Sequence, residues 1–510
     1  MRLPTLLLAC LALGSSLLAA DLRLASPLSD HMVLQREKPV AVWGWADAGE
    51  AVTVAFAGQS KTVTADAEGK WSLRLDALPA SAEPRSLVVT GKAERRLEVK
   101  DVLVGEVWLG SGQSNMAMIV QNSQNFEAEK AAAKYPLIRH YQESSAPSDQ
   151  PKAEGKGQWR ACAPDTVGGF SAVLYFFGRE IHREVGVPVG LVNTSVGGTP
   201  IESWVSAEVQ SSAPATKARY ESQLKAHLEF DAAKATATYE KQLAAWKVAV
   251  AKAKADGKEA PHKPNDLVAF RKFKGGPAAL YNGKVVNLAP YTLRGMLWYQ
   301  GEGNAGNPGL YETQLTQLVT SWRTLWQDEV PFAWVQLPNY RTSNSESWPR
   351  LRESMMKVLA LPKTGMAITL DIGDPLDIHP KNKQDVGKRL SYWALATVYG
   401  RSVPAISGPL PTGSQVEGDA IRVSFRHADG LKTRDGAAPR GWLLAGADKA
   451  WKPAEARIDG TSVVVRSAAV PAPVAARYAW AENPDAHLVN GAGLPATSLR
   501  TDTWPDPAAK

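Results

Sequence analysis

The feature that most constrains the fold is an apolar run that stops abruptly at a glycine-rich turn. Residues 102–109 are rich in Val and Leu, and Gly110-Ser111-Gly112 follows them directly. A Ser114-Asn115 pair with helix-favouring residues comes next. This order predicts a buried strand, a tight turn and a helix start, and the turn lifts Ser114 off the strand end. A hydroxyl beside the N–H groups of a helix start is a candidate nucleophile, and the alternative is an N-cap serine.

Length and charge bound the classes of protein to which this serine can belong. The chain has 510 residues, 44% of them hydrophobic, and this length predicts about two to four domains. The net charge of +7 comes from 58 Lys and Arg against 51 Asp and Glu. Part of this mild excess lies in one Lys/Ala-rich segment, so the charge does not indicate nucleic-acid binding.

Residues 1–20 have the pattern of a secretion signal, with a short basic start, an apolar core and small residues at the end. They predict export to the periplasm or the extracellular space, with no membrane anchor after cleavage. Leu7-Leu8-Ala9-Cys10 faintly resembles a lipoprotein box, but the apolar sequence before it is too short, which favours soluble export. Cys162 alone remains after cleavage, so an internal disulfide is excluded.

The hydropathy pattern changes along the chain. Alternating segments in 21–100 predict a small antiparallel β-sandwich. Strands alternating with helices in 101–403 predict a doubly wound parallel sheet whose active site lies at the carboxyl edge. Residues 206–264, rich in Ala, Lys, Glu and Gln, predict one or two long helices, which we interpret as an insertion. Short strands return in 404–510 and predict a second β-rich region.

The base for Ser114 is predicted in the acidic, Pro-terminated loop at residues 371–380. A neutral imidazole with a pKa near ~6.5 can take the serine proton and return it to the leaving alcohol, which makes His379 the candidate. Asp377 and Asp374 are both close enough in sequence to fix the tautomer of the ring. The alternative for His379 is a turn histidine that is hydrogen-bonded to its own loop.

Two further glycine-containing loops offer groups that stabilise an oxyanion. Asn304 follows an apolar strand and carries a side-chain amide, whereas Gly197 or Gly198 offers a backbone N–H. Polar loops at three strand ends make the combined hypothesis stronger than any single loop.

Taken together, these loops resemble the sialate O-acetylesterase-like group of SGNH hydrolases, which are secreted carbohydrate esterases. The resemblance covers the whole chain. It implies an α/β fold with an SGNH, flavodoxin-like parallel sheet, flanked by β-sandwich regions and carrying a helical insertion. The ordered blocks that match are Gly112-Gln113-Ser114-Asn115-Met116, Gly197-Gly198-Thr199, Gly301-Glu302-Gly303-Asn304 and Asp377-Ile378-His379-Pro380.

The resemblance also implies roles for single residues. The catalytic residues would be Ser114, His379 and Asp377. The oxyanion would be held by Ser114, Gly198 and Asn304.

One position departs from the family pattern. SGNH enzymes usually carry an aspartate three residues before the histidine, and Leu376 stands there in this chain. Asp377 precedes His379 by two residues and Asp374 precedes it by five. We favour Asp377, and a Ser-His dyad oriented by a backbone carbonyl stays open as the alternative.

The implied reaction is hydrolysis of an acetyl ester on a sugar through an acetyl-enzyme, with no metal or other cofactor. The resemblance permits O-acetylated sialic acid and also plant hemicelluloses such as xylan or xyloglucan as substrates, and Arg294 or Arg341 is a candidate for binding a carboxylated sugar. The alternative function is a non-catalytic glycan-binding protein. The candidates for contacting the acetylated glycan are Gln113, Glu302 and Trp204. The alternative for Glu302 is that it supports its own loop, and the alternative for Trp204 is that it packs in the core.

Overall fold

A computed structural model of the chain describes residues 21–342 and 346–504, and the predicted signal at 1–20 lies outside these residues. The fold is mixed α/β, with an eleven-stranded central sheet and additional antiparallel sheets. Within the described residues, none of the helices combines the length and the apolar character that crossing a bilayer requires.

Short strands surround one long strand in the N-terminal part of the chain. Their bounds are β1 (Arg23–Leu24), β2 (Val33–Gln35), β3 (Val40–Trp45), β4 (Ala51–Phe56), β5 (Gln59–Thr64), β6 (Lys70–Leu75), β7 (Ser81–Thr90) and β8 (Arg96–Gly112). β1, β3 and β6 form a three-stranded sheet, whereas β2 and β7 pair with β8. The predicted boundary between residues 100 and 101 lies inside β8, which is 17 residues long.

The second half of β8 is the middle of a mostly parallel sheet. The other strands are β9 (Tyr135–Glu143), β10 (Gly157–Cys162), β11 (Val189–Asn193), β12 (Gly295–Tyr299), β13 (Phe332–Val335) and β14 (Thr364–Ala367). Their order is β10-β9-β11-β8-β12-β13-β14, with β10 antiparallel at one edge. β11 to β13 are buried throughout, as expected for parallel strands that are covered on both faces.

Helices cover both faces of this sheet. Their bounds are α1 (Ser114–Ala117), α2 (Phe126–Ala132), α3 (Ala172–Val185), α4 (Ala207–Gln210), α5 (Pro214–Leu228), α6 (Ala232–Ala255), α7 (Leu267–Lys274), α8 (Tyr311–Trp326), α9 (Ser347–Lys357) and α10 (Lys383–Thr397). On one face, α3 packs against β8 at Gly110, where a Cβ would lie 2.5 Å from the Leu174 side chain. On the other face, the rings of Trp298 in β12 and Trp322 in α8 meet edge to face.

The long helices predicted within 206–264 are confirmed as α5 and α6. Every residue of α6 is exposed or half-buried, as its Ala/Lys-rich composition suggests. The interpretation of this segment as an insertion stays a prediction.

The C-terminal part of the chain is β-rich, as predicted. Its strands are β15 (Leu410–Glu417), β16 (Ala420–Arg426), β17 (Lys432–Thr433), β18 (Trp442–Ala445), β19 (Lys452–Pro453), β20 (Glu455–Asp459), β21 (Ser462–Arg466), β22 (Ala475–Tyr478), β23 (Leu488–Val489) and β24 (Leu499–Arg500). Arg352 of α9 holds this part against the central sheet, because its fully buried guanidinium donates to the carbonyls of Pro338, Ala481 and Glu482.

Candidate active site

Four loops meet at the carboxyl edge of the central sheet. Ser114 follows β8, the glycine loop (residues 194–200) follows β11, the Asn304 loop (residues 300–305) follows β12, and the histidine loop (residues 371–380) comes after β14. β11, β8, β12, β13 and β14 run parallel to one another, so their carboxyl ends lie on the same side. This edge is where open α/β sheets bind their ligands.

The nucleophile turn depends on a glycine. Gly112 has a φ of +134°, and a Cβ on it would lie 2.1 Å from the carbonyl oxygen of Tyr299. Only glycine fits this conformation and this approach. The turn places half-buried Ser114 at the first position of α1, where the backbone N–H groups have no acceptor within the helix.

The side chain of His379 meets that of Ser114. The distance from His379 Nε2 to Ser114 Oγ is 2.8 Å, which is a hydrogen bond. Burial lowers the pKa of His379, Lys383 and Lys381 lower it further, and Asp377 opposes them. The imidazole is therefore neutral at pH 7, in the form that accepts a proton.

Asp377 lies next to the imidazole without bonding to it. Its Oδ1 accepts a hydrogen bond of 2.8 Å from the backbone N–H of His379, but lies 3.8 Å from Nδ1 of the ring. That distance is too long for a hydrogen bond. Asp374 instead accepts from the backbone N–H of Leu376 and so shapes the histidine loop. Burial raises the pKa of Asp377, but the His379 N–H and Lys381 outweigh it, so the pKa lies below its ordinary value.

The glycine loop lies directly against the nucleophile. A Cβ on Gly197 would be 3.5 Å from the Cβ of Ser114. Gly198 adopts a φ of +66°, and its carbonyl oxygen accepts a hydrogen bond of 2.7 Å from Lys274 Nζ. The backbone of this loop is therefore near the position where an oxyanion on the attacked carbonyl would form.

Asn304 lies in the same region, but its side chain is bonded within the protein. Its Oδ1 accepts from the backbone N–H of Ile201 at 2.9 Å and from Gln300 Nε2 at 2.7 Å. Its Nδ2 donates to Glu202 Oε2 at 2.8 Å. In this structure Asn304 ties two loops together, and its role as an oxyanion donor stays a prediction.

Comparison with known proteins identifies the family of the chain. The carbohydrate esterase family of sialic acid-specific acetylesterases matches residues 104–254 and 272–395, more than half of the chain. A carbohydrate acetylesterase from Xanthomonas citri, known from a crystal structure, is 37% identical, with 94% of this chain and 100% of that chain covered and a TM-score of 0.80. The chain belongs to this family.

Mammalian relatives extend the comparison. The sialate O-acetylesterase of Rattus norvegicus is 28% identical over 90% of this chain and 89% of the rat protein. That of Homo sapiens is 28% identical over 76% of this chain and 73% of the human protein. The protein is thus a carbohydrate O-acetylesterase, a carboxylic ester hydrolase that acts on acetylated carbohydrates.

Two residues predicted to contact the substrate, Gln113 and Glu302, make hydrogen bonds within the esterase, and their contact with substrate stays a prediction. Gln113, 4% exposed, accepts from the backbone N–H of Gly303 at 3.0 Å and so joins the nucleophile turn to the Asn304 loop. Glu302 accepts from Asn115 Nδ2 at 2.5 Å. Burial raises the pKa of this carboxyl. Loop support, the alternative weighed for Glu302, matches these contacts.

Trp204 requires a correction. Its side chain is 0% exposed, its Nε1 donates to Thr199 Oγ1, and its ring packs edge to face on Trp298. A residue without exposed surface does not meet a substrate, so Trp204 is part of the core of the esterase. After the glycine loop the chain runs back into the protein interior, and the sequence pattern does not show this change of direction.

A buried lysine that was not predicted from the sequence lies behind the nucleophile. Lys383, the first residue of α10, is 0% exposed, and its Nζ donates to Asn115 Oδ1 at 2.6 Å. Asn115 Nδ2 also donates to the carbonyl of Ile378, next to His379. Burial lowers the pKa of Lys383 to about 7. The one sequence signal for this residue was its position four residues after the histidine.

Proposed function

We propose that the esterase removes acetyl groups from glycans by an SGNH-type serine mechanism. The observation that carries the proposal is the 2.8 Å hydrogen bond between Ser114 Oγ and His379 Nε2 at the start of α1. Oγ attacks the acetyl carbonyl carbon while the neutral imidazole takes the hydroxyl proton. A glycan-binding protein has no need of this contact, so the non-catalytic alternative is disfavoured.

The remaining steps use the same groups. The backbone N–H groups of Ser114 and Gly198 stabilise the oxyanion of the tetrahedral intermediate. The imidazolium of His379 then protonates the departing sugar hydroxyl, which leaves an acetyl-enzyme. A water molecule gives a proton to the imidazole and attacks the acetyl carbonyl carbon. The bond from that carbon to Oγ then breaks, the imidazolium returns its proton to Oγ, and acetate leaves, which restores Ser114 and neutral His379.

In this proposal Asp377 acts on His379 without a hydrogen bond to the ring. Its carboxylate stabilises the imidazolium by charge across 3.8 Å and fixes the loop through the His379 backbone N–H. The esterase then works close to a Ser-His dyad, with Asp377 as a supporting acid.

We further propose that the acetylated substrate is a neutral hemicellulose, such as xylan or xyloglucan. Sialic acid carries a carboxylate, and its recognition needs an available cation. Arg294, one candidate for that task, donates instead to Glu106 and Glu37. Arg341, the other candidate, is exposed, and its backbone N–H donates to the carbonyl of Pro375 in the histidine loop, so it is the residue to substitute if sialic acid is the better substrate. Export directed by residues 1–20 would bring the enzyme to such polysaccharides.

The test measures acetate release by wild type and Ser114→Ala on p-nitrophenyl acetate, acetylated xylan, acetylated xyloglucan and O-acetylated sialic acid. Ser206→Ala is the matched control, because Ser206 caps α4 without a histidine partner in the described structure. We expect Ser114→Ala to lose release from every substrate and the hemicelluloses to be the best ones. Persistent release by Ser114→Ala would refute the mechanism, and faster release from sialic acid would refute the substrate class.

A further inference from the structure

Helix α7 carries an exposed aromatic surface beside the active site. Phe270 and Phe273 are 48% and 59% exposed, and Leu267 at the start of the helix is 52% exposed. Every other aromatic side chain in the described part of the chain is buried or half-buried. Exposed apolar side chains that cluster in this way mark a surface that contacts something else.

This surface is joined to the nucleophile through one lysine. Lys274 Nζ lies 3.3 Å from the ring centroid of Phe270 and also donates to the carbonyl oxygen of Gly198 at 2.7 Å. The loop that contains Gly198 lies against Ser114. A single ammonium group therefore separates the Phe270 ring from the glycine loop, and the cation–π contact fixes the ring there.

Helix α7 is also held firmly at both ends. Asp266 caps its first turn by accepting from the backbone N–H groups of Val268 and Ala269. Near the other end, Arg271 donates to the carbonyl of Ala226 at 3.1 Å. The aromatic rings are thus presented by a fixed helix, which lowers the entropic cost of binding against them.

A second exposed apolar side chain lies on the opposite side of the nucleophile from α7. Leu376 in the histidine loop is 82% exposed. Because β8 stands between β11 and β14 in the sheet order, the glycine loop and the histidine loop approach Ser114 from opposite sides. The nucleophile therefore lies between two apolar margins, Leu376 on one side and α7 on the other.

We propose that Phe270 and Phe273 form a stacking platform for the pyranose rings that follow the acetylated sugar in a polysaccharide substrate. This proposal rests on the proposed function, since it assigns the subsite of the same active site. A β-linked pyranose presents a face of C–H groups that packs on an aromatic ring while its hydroxyls stay in water. The platform then selects polymeric over small acetyl esters.

The experiment compares wild type with the double variant Phe270→Ala/Phe273→Ala on acetylated xylan and on p-nitrophenyl acetate. On xylan we expect KM to rise on the order of tenfold with little change in kcat, because two stacking contacts are lost. The effect on p-nitrophenyl acetate should be much smaller, since that ester is too short to reach the platform. Phe270→Tyr/Phe273→Tyr, which keeps both rings, should restore most of the xylan activity.

The controls are Leu228→Ala and Val248→Ala, which remove still more exposed apolar side chains from α5 and α6 and should leave both activities unchanged. Affinity electrophoresis of Ser114→Ala in deacetylated xylan measures binding without chemistry, so it separates failure of the platform from failure of the serine mechanism. Equal losses on both substrates, or unaltered kinetics and xylan binding, would overturn the proposal. If the wild type is a dimer and the double variant is a monomer with unchanged xylan kinetics, the surface serves self-association instead.

Discussion

The Asn304 loop, which follows β12, and the histidine loop, which comes after β14, differ in the solvent exposure and hydrogen bonding of their polar side chains. In the histidine loop, the side chains of His379 and Asp377 are 42% and 38% exposed. In the Asn304 loop, Asn304 is 4% exposed and its amide is bonded to four partners. The group that moves a proton is half in solvent, whereas the groups behind it are buried and hydrogen-bonded.

This contrast indicates a division between reacting and positioning residues. A proton carrier needs an open lone pair and access to water, and tight packing removes both. A positioning residue needs the opposite, because each satisfied hydrogen bond fixes a loop. Variants in the histidine loop should therefore reduce catalysis without reducing stability, and variants in the buried network should reduce both.

The largest effect is expected for His379→Ala. Loss of the general base should lower kcat by on the order of 10³-fold or more. The melting temperature should stay close to that of the wild type, since the side chain is 42% exposed. His31→Ala is the control, because it removes a half-exposed histidine remote from Ser114. The partner of His31 is Asp101, which lies in the first half of β8. A kcat within tenfold of wild type would assign the base elsewhere.

Lys383→Met should have the next largest effect. The substitution removes the amine that donates to Asn115 and loosens the link from that side chain to the histidine loop. Leaving the buried Asn115 Oδ1 without its donor costs about 1–3 kcal/mol of unfolding free energy, and we expect kcat/KM to fall roughly tenfold because the histidine loop is less well positioned. Lys388→Met, an exposed lysine on the same helix, is the control. Wild-type kinetics in Lys383→Met would remove the lysine from the positioning network.

The same variant has a signature in the dependence of stability on pH. The pKa of Lys383 is lowered from 10.5 to about 7 in the folded protein. Between these values the unfolded chain binds more protons than the folded one, so the contribution of this lysine to the free energy of unfolding increases as pH rises. Urea unfolding at pH 7 and pH 9 should show this gain in wild type and lack it in Lys383→Met. An identical change in both proteins would contradict the burial of a titrating lysine.

Asn304→Ala is expected to reduce stability and activity together. The substitution leaves the buried N–H of Ile201 without its acceptor, which costs about 1–3 kcal/mol of unfolding free energy. We expect a decrease in kcat of roughly tenfold through displacement of the glycine loop. Asn307→Ala, an exposed position nearby, is the control. A large loss of kcat at unchanged stability would show instead that Asn304 donates to the oxyanion during the reaction.

The smallest effect is expected for Asp377→Asn. An exposed charge pair contributes about 0.2–1 kcal/mol, so kcat/KM should fall less than about fivefold, whereas in a full triad the same change costs ~10⁴-fold. The carboxylate raises the pKa of His379, so the acid limb of the pH profile should move to lower pH in the variant. Asp374→Asn is the parallel test, and a larger loss there would make Asp374 the orienting acid.

The meeting of Ser114 with His379 was predictable, because loops that follow parallel strands share one edge of the sheet. The strands β11, β12 and β13 lie within residues 101–403, where the sequence predicts strands alternating with helices.

The supporting residues were not predictable in this way. Lys274 and Lys383 lie at helix ends, where basic residues are normally solvated, and only tertiary packing shows that they are buried. Trp204 was mispredicted as a substrate contact because the local sequence does not show that the chain turns inward after the glycine loop. Local pattern identifies reacting groups, whereas burial, which depends on distant segments, decides their supports.

The length of β8 limits how the N-terminal strands can be exchanged for those of another protein. One uninterrupted strand pairs with β7 at its beginning and ends at the turn before Ser114. Recombination near residue 100 would cut a paired strand and not a linker. The N-terminal strands are therefore expected to be inherited together with the esterase sheet, and a chimera that replaces them would have to carry its junction before residue 96 or rebuild the whole strand.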